Sequence, residues 1–295
     1  MNMTYISKIQ ANLKRYQTVS TRRKTNRVLD GSYKSVFKGR SMNFDELREY
    51  VQGDDIKDID WKASSRSQKM LVRQYIAERK HNIMLVFDTN MNMLGSSDGL
   101  EEKRELAIMG AGTLAYFVNK SGDFVASTYM TKNGMKHFPF KSGLGNIELI
   151  LENYHRDVTI DNYTDINDSL EYIIRNFKRK MIIVLVTDVR GLRNVTETNL
   201  KRLLVAHDVL VLNISDASIE GKSAYNLNTG IQMPSFFTNS KKLTESIRET
   251  NLKNVKEVTE KLKKFGISCS TIDYIDELDS EIVDLLAKHK LEKRM

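Results

Sequence analysis

Two stretches decide the fold: Ile83-Met84-Leu85-Val86-Phe87, closed by Asp88-Thr89-Asn90-Met91-Asn92, and Met181-Ile182-Ile183-Val184-Leu185-Val186, closed by Thr187-Asp188. Short apolar runs bounded by polar turns mark strands buried on both faces of a parallel sheet. A carboxylate at the carboxyl end of such a strand lies on the edge where α/β sheets bind ligands. Two such ends with oxygen side chains close by suggest a divalent-cation site, because hard cations take carboxylate, amide and hydroxyl oxygens.

Outward from these strands, apolar periodicity sets the remaining elements. A helix is predicted over 101–120, where Leu106, Met109, Gly110, Thr113, Leu114 and Phe117 recur at three-and-four spacing. Strands over 123–130 and 136–140 flank the turn Lys132-Asn133-Gly134, whose Asn-Gly pair marks a hairpin. Helices follow at 145–154 and 168–177, then strand 181–187, helix 196–206, strand 208–214, a polar loop 216–240, helix 241–265, strand 267–272 and helix 278–292. Alternation of this kind specifies an α/β layer fold with a mostly parallel sheet. Pro139 and Pro234 fall at a strand end and in a loop, where proline is tolerated.

With 295 residues the chain has room for one large or two small domains. Its 40% hydrophobic and 28% charged residues suit an ordinary soluble protein. No apolar run approaches the ~20 residues of a membrane span, and the N-terminus lacks the apolar stretch of a signal peptide, so a cytoplasmic location is expected. The net charge of +8 is concentrated: residues 1–40 hold ten Lys/Arg against the single acid Asp30. Lys8, Lys14, Arg15, Arg22, Arg23, Lys24 and Arg27 suit anionic lipid, nucleic acid or an acidic protein. The alternative is a leader packed on the body through Ile6, Ile9 and Leu13. The single cysteine, Cys269, excludes an internal disulfide and reads as a small buried strand residue rather than a nucleophile. The histidines, His81, His137, His155, His207 and His289, do not fall at metal-ligand spacing.

The stretches Gly39-Arg40, Phe44-Asp45-Glu46-Leu47-Arg48-Glu49-Tyr50, Gly53-Asp54-Asp55-Ile56 and Ile59-Asp60-Trp61-Lys62-Ala63-Ser64-Ser65-Arg66 resemble the signature of the domain of unknown function family 58. The likeness continues through Leu71-Val72-Arg73 and Glu78 into Val86-Phe87-Asp88. The remainder is similar, in strand and helix order, to the von Willebrand factor A-like domain that such proteins carry. The resemblance implies a doubly wound, mostly parallel sheet ordered 3-2-1-4-5-6 with strand 3 antiparallel, preceded by an N-terminal β-containing extension. It divides the chain into a basic arm at 1–40, a signature segment at 41–80 packing on the main domain, and a von Willebrand factor A-like domain at 81–295. In that order the chain reverses between strands 1 and 4, whose carboxyl ends carry Asp88 and Asp188.

The resemblance also implies a metal-ion-dependent adhesion site. Its Asp-x-Ser-x-Ser element falls on Asp88, Asn90 and Asn92, its threonine on Thr164 and its last aspartate on Asp188. Both serines are asparagines here, whose amide oxygens ligate a hard cation but reach further and carry no ionisable proton. Two readings stand: a site for Mg²⁺ or Mn²⁺, or a strand end kept for its hydrogen bonds alone.

The carboxylate-rich run holding Asp54, Asp55, Asp58 and Asp60 admits a metal-dependent phosphodiesterase or nuclease of two-metal type. The structural reading, which we favour, has these aspartates capping short helices and pairing with Arg48, Arg66 or Arg73, with Trp61 anchoring the segment on the sheet. Gly221-Lys222-Ser223 lacks the upstream glycine of a phosphate-binding loop, and no Gly-x-Ser-x-Gly elbow occurs. The loop after Ser215-Asp216 carries Tyr225, Ile231, Met233, Phe236 and Phe237, and 230–238 is predicted as an apolar partner-contacting flap. These readings combine into a cytoplasmic, non-enzymatic protein-binding adaptor, with Met233, Phe236 and Phe237 adding contact area. The resemblance implies a MoxR-type AAA+ ATPase as partner, acting in maturation of another protein or complex. Residues 4–27 suit peripheral attachment to an anionic membrane, with nucleic acid the less favoured target.

Overall fold

A strand that is apolar at every position needs cover on both faces, because successive side chains point to opposite sides. The structure, a computed structural model, describes residues 3–15, 46–74, 80–96, 101–216, 225–226, 231–232 and 241–292. In chain order these form α1 (Tyr5–Arg15), β1 (Glu46–Glu49), α2 (Trp61–Ser67), β2 (Leu71–Gln74), β3 (Asn82–Phe87) and α3 (Lys103–Lys120). The hairpin β4 (Phe124–Thr131) and β5 (Gly134–Lys141) follows, then α4 (Leu144–Asp157), α5 (Ile166–Asn176), β6 (Ile182–Asp188), α6 (Val189–Asn194), α7 (Glu197–Ala206) and β7 (Asp208–Ile214). Two short strands, β8 (Tyr225–Asn226) and β9 (Ile231–Gln232), pair inside the stretch expected to be loop; the chain then completes α8 (Lys241–Lys264), β10 (Ser268–Ile272) and α9 (Leu278–Glu292).

The central sheet runs β10-β7-β6-β3-β4-β5, with every neighbouring pair parallel except β4 and β5. Counted in chain order within the sheet, this is 3-2-1-4-5-6 with the third strand antiparallel, which is the von Willebrand factor A-like order. β3 sends Ile83, Leu85 and Phe87 into one core and Met84 and Val86 into the other. β6 and β7 divide likewise: Val184, Val186, Leu210 and Leu212 join the first, Ile183, Leu185, Val209 and Val211 the second. Helices α1, α3, α4 and α9 cover the first core; α5, α6, α7 and α8 cover the second. Pro139 lies within β5 rather than at its end. It occupies the outermost strand beside a register irregularity, where a residue without an N–H leaves no inner ladder bond unmade.

Helix α3 is buried around most of its circumference rather than along one stripe, Ile108, Ala111, Gly112 and Ala115 being as covered as Leu106 or Phe117. Helix α1 supplies the extra cover through Ile6, Ile9 and Leu13. Ile9 Cδ1 comes within 2.5 Å of where a Cβ on Gly112 would stand, so only glycine allows this approach. The Glu148 carboxylate accepts the backbone N–H groups of Tyr5 and Ile6 at 2.7 Å each, satisfying donors that a helix start leaves open. Residues 5–15 of the basic segment therefore form part of the core, while 16–40, with Arg22, Arg23, Lys24 and Arg27, lie outside the described residues. Among the described residues no helix is long and apolar enough to cross a membrane.

In the signature segment β1 and β2 pair antiparallel, giving the β-containing extension. Arg48 forks onto Asp54 at 2.6 and 2.7 Å. Asp55 accepts from Lys57 N, and Asp60 from Lys62 N and Ala63 N, each at 3.0 Å, so both act as helix caps. Arg66 stands exposed in the last turn of α2. Trp61 does not anchor the segment: it is 65% exposed. The cap on Asp60 makes Trp61 the first residue of α2, and the buried contact passes instead to Ile59 and Val72, joined by a β-bridge.

Replacing Ile9 by alanine should lower the unfolding free energy by about 2–4 kcal/mol, seen as a lower urea midpoint at unchanged slope. An unchanged midpoint would remove α1 from the core.

Candidate functional site

Strands β3 and β6 are neighbours whose onward chains diverge, and Asp88 and Asp188 end them, 5% and 1% exposed. Asp88 Oδ1 accepts from Asn90 N at 2.9 Å and Oδ2 from Thr187 Oγ1 at 2.7 Å. Its backbone carbonyl accepts from the Tyr154 hydroxyl at 2.9 Å, and the Tyr154 ring stacks on Phe87 with centroids 4.3 Å apart. Burial, and after it the charge of Asp188, pushes the Asp88 carboxyl up to about 6.

Asn90 caps the 3-10 turn Met91–Leu94, its Oδ1 accepting from Asn92 N at 3.1 Å. Its Nδ2 donates to the Thr164 carbonyl at 2.9 Å, and the Thr164 and Thr89 hydroxyls share a 2.9 Å hydrogen bond. Asn92 Oδ1 accepts from Arg190 Nη1 at 3.0 Å. All the residues expected from the adhesion-site pattern thus lie on one edge. What engages them is the chain's own donors.

The strongest of those donors went unread in the sequence. Lys103, the first residue of α3, is 2% exposed, and its ammonium bonds Asp188 Oδ2 at 2.5 Å and also Asp216 Oδ1. Burial alone would push the Lys103 pKa down, but the carboxylates of Asp188 and Asp216 hold it above its ordinary value. Asp188 Oδ1 accepts from Gly191 N at 2.7 Å, which starts α6. Six residues are too few for a helix to stand alone, and α6 is closed at its other end by Lys261 Nζ, which donates to Leu192 O at 3.0 Å and to Val195 O. Sequence spacing did hold a signal for Lys103: it lies three, four and seven residues before Leu106, Ala107 and Gly110, on a face that turns inward. Its setting, Glu101-Glu102-Lys103-Arg104-Glu105, reads as a solvated charge run and conceals it.

With the Lys103 ammonium among them, these donors do not fit a divalent cation. Mg²⁺ demands a near-octahedral shell of oxygens at about 2.0–2.1 Å. The oxygens of Asp88, Asn90 and Asn92 each accept one protein hydrogen bond and keep a second lone pair, but Asp188 Oδ2 is taken by the Lys103 ammonium. Two positive groups, Lys103 and Arg190, stand among them. Among the described residues no cluster of three or more His, Cys, Asp or Glu is arranged to hold a metal. Among the signature residues, Arg48 and Asp54 bond each other, and Asp55 and Asp60 cap helices of their own segment. Met233, Phe236 and Phe237 lie outside the described residues. Cys269, on β10, is half-buried with its thiol pushed up to about 12 by burial, which leaves it a poor nucleophile.

A methyl group at Gly191 would stand 2.5 Å from Asp88 Oδ2 and closer still to Thr187 Oγ1. Gly191→Ala should therefore cost about 1–3 kcal/mol in urea unfolding. Gly145→Ala, in α4 where a Cβ meets nothing within 4 Å, should leave the midpoint unchanged or raise it.

Residues 46–222, more than half of the chain, match the family described as "Protein of unknown function DUF58". Uncharacterized proteins of Mycobacterium tuberculosis and Mycobacterium bovis are 27% identical over 125 residues, 42% of this chain. That alignment spans only 39% of those relatives' own length. Among solved structures, the conserved hypothetical protein BatB from Bacteroides thetaiotaomicron is similar at a TM-score of 0.46 and 16% identity, over 71% of this chain and 98% of that one. An aerotolerance-related membrane protein from Bacteroides fragilis gives 0.43 and 17%, over 70% and 99%. A von Willebrand factor type A structure from Catenulispora acidiphila gives 0.42 and 11%, over 75% and 44%.

Proposed function

Since the chain belongs to the protein family of unknown function DUF58, we propose that it is a non-enzymatic protein-binding adaptor working with a MoxR-type AAA+ ATPase in maturation of another protein or complex. The observation that carries this reading is the polar edge at the chain reversal, where Asp88, Asn90, Asn92, Thr164 and Asp188 are held by a rigid network on strand ends. The two aspartates are buried and hold this network from within, Asn90, Asn92 and Thr164 are half-buried and available to a docking surface, and the carboxylate–hydroxyl pair Asp88–Thr187 is closed off from any substrate. The exposed Arg190, bonded to Asn92, is the cation a partner carboxylate would meet there. Met233, Phe236 and Phe237 would add apolar contact, and residues 4–27 would bring the adaptor to an anionic membrane surface.

Isothermal titration of the full chain against a purified MoxR-type AAA+ ATPase from the same organism tests it. Arg190→Glu should weaken binding about tenfold or more, the cost of reversing one close charge pair. Trp61→Ala, on the signature segment, should leave binding within about twofold. Absence of a complex, or a complex indifferent to Arg190, would sink the reading.

A further inference from the structure

The edge holds a cation already, covalently attached. Lys103 reaches it from the first position of α3, where the helix dipole disfavours positive charge and where acidic residues are the usual choice. Its burial is a second cost, since an ammonium loses its water in a site only 2% exposed. A lysine with both penalties persists where carboxylates offset them, and two do. Asp188, itself buried, bonds the ammonium from the end of β6, and Asp216, with its side chain 48% exposed, bonds it from the residue pair following β7. The backbone holds the lysine in place, since Lys103 N donates to Gly95 O at 2.8 Å and Ser96 bridges Glu102. The charge pattern is therefore that of a cation between strand-end carboxylates, the pattern a divalent ion would produce. The carboxylate oxygens such an ion would draw on, Asp188 Oδ2 and Asp216 Oδ1, are the ones the ammonium occupies.

We propose that the Lys103 ammonium is the resident cation of this edge, standing in the position a divalent ion would take, so that the edge is assembled and works without metal.

The test is thermal unfolding of the full chain in EDTA and in millimolar Mg²⁺ or Mn²⁺, for wild type and for Lys103→Met, which keeps the apolar stem and removes the charge. Wild type should unfold at the same temperature in all three conditions. Lys103→Met should unfold at lower temperature in EDTA and regain roughly 5–10 °C with metal, the rise expected for an ion at 100-fold its dissociation constant. If Lys103→Met does not fold in EDTA, refolding it with millimolar Mn²⁺ is the same test, and recovery of folded protein is the supporting result. A metal-induced rise in wild type that Asp88→Ala abolishes would overturn the proposal. So would a Lys103→Met protein that keeps wild-type stability, one that loses stability but gains nothing from metal, and one that stays unfolded with metal as without.

Discussion

An ammonium buried against a buried carboxylate organises the edge of the sheet where β3 and β6 end. Burying either charge alone would cost several kcal/mol, and removing one partner from such a pair costs about 3–5 kcal/mol because the other remains uncompensated. The pair Lys103 and Asp188 therefore constrains everything attached to it. Asp188 ends β6 and, through its other oxygen, starts α6. Lys103 starts α3, the helix that the first core packs around. One ion pair thus fixes the junction between the sheet and a helix on each of its faces.

The rest of the edge is built outward from that junction by hydrogen bonds of ordinary strength. Thr187 and the Asn90 amide hold Asp88, Asn90 reaches across to Thr164, and Asn92 meets Arg190. The asparagines explain themselves in this geometry. A serine hydroxyl at position 90 could cap the turn but has a single oxygen, whereas the asparagine amide accepts at the cap with Oδ1 and donates to the Thr164 carbonyl with Nδ2. Gly191 completes the arrangement by leaving room for Asp88 and Thr187 where any side chain would intrude.

Much of this was legible in the residues. The runs 83–87 and 181–186 announced doubly covered strands, and the aspartates at their ends announced the edge, because strand direction and sheet face follow from short-range geometry. The Asn-Gly turn gave the antiparallel hairpin for the same reason. What stayed hidden depends on partners distant in sequence. Lys103 sits in a run of charges, and only the meeting with Asp188, 85 residues on, turns it inward. Trp61 misled because the size of an indole suggests an anchor, while its place as first residue of a seven-residue helix leaves it to solvent. Helix α6 escaped because its six residues are too few for a period to show, and its ends are tied by Asp188 and Lys261 rather than by local preference.

The cover that α1 gives to α3 also dictates when the chain can finish folding. Gly112 lies against Ile9, and Gly110 against Ile272 and Leu278, so the central helix is sandwiched between the earliest and the latest elements of the described chain. Contacts that span so much sequence close slowly, since the entropy of bringing the ends together is lost before they stabilise anything. Until β10 and α9 emerge from the ribosome, α3 has no neighbour at Gly110, and its apolar surface is open to chaperones or to other nascent chains.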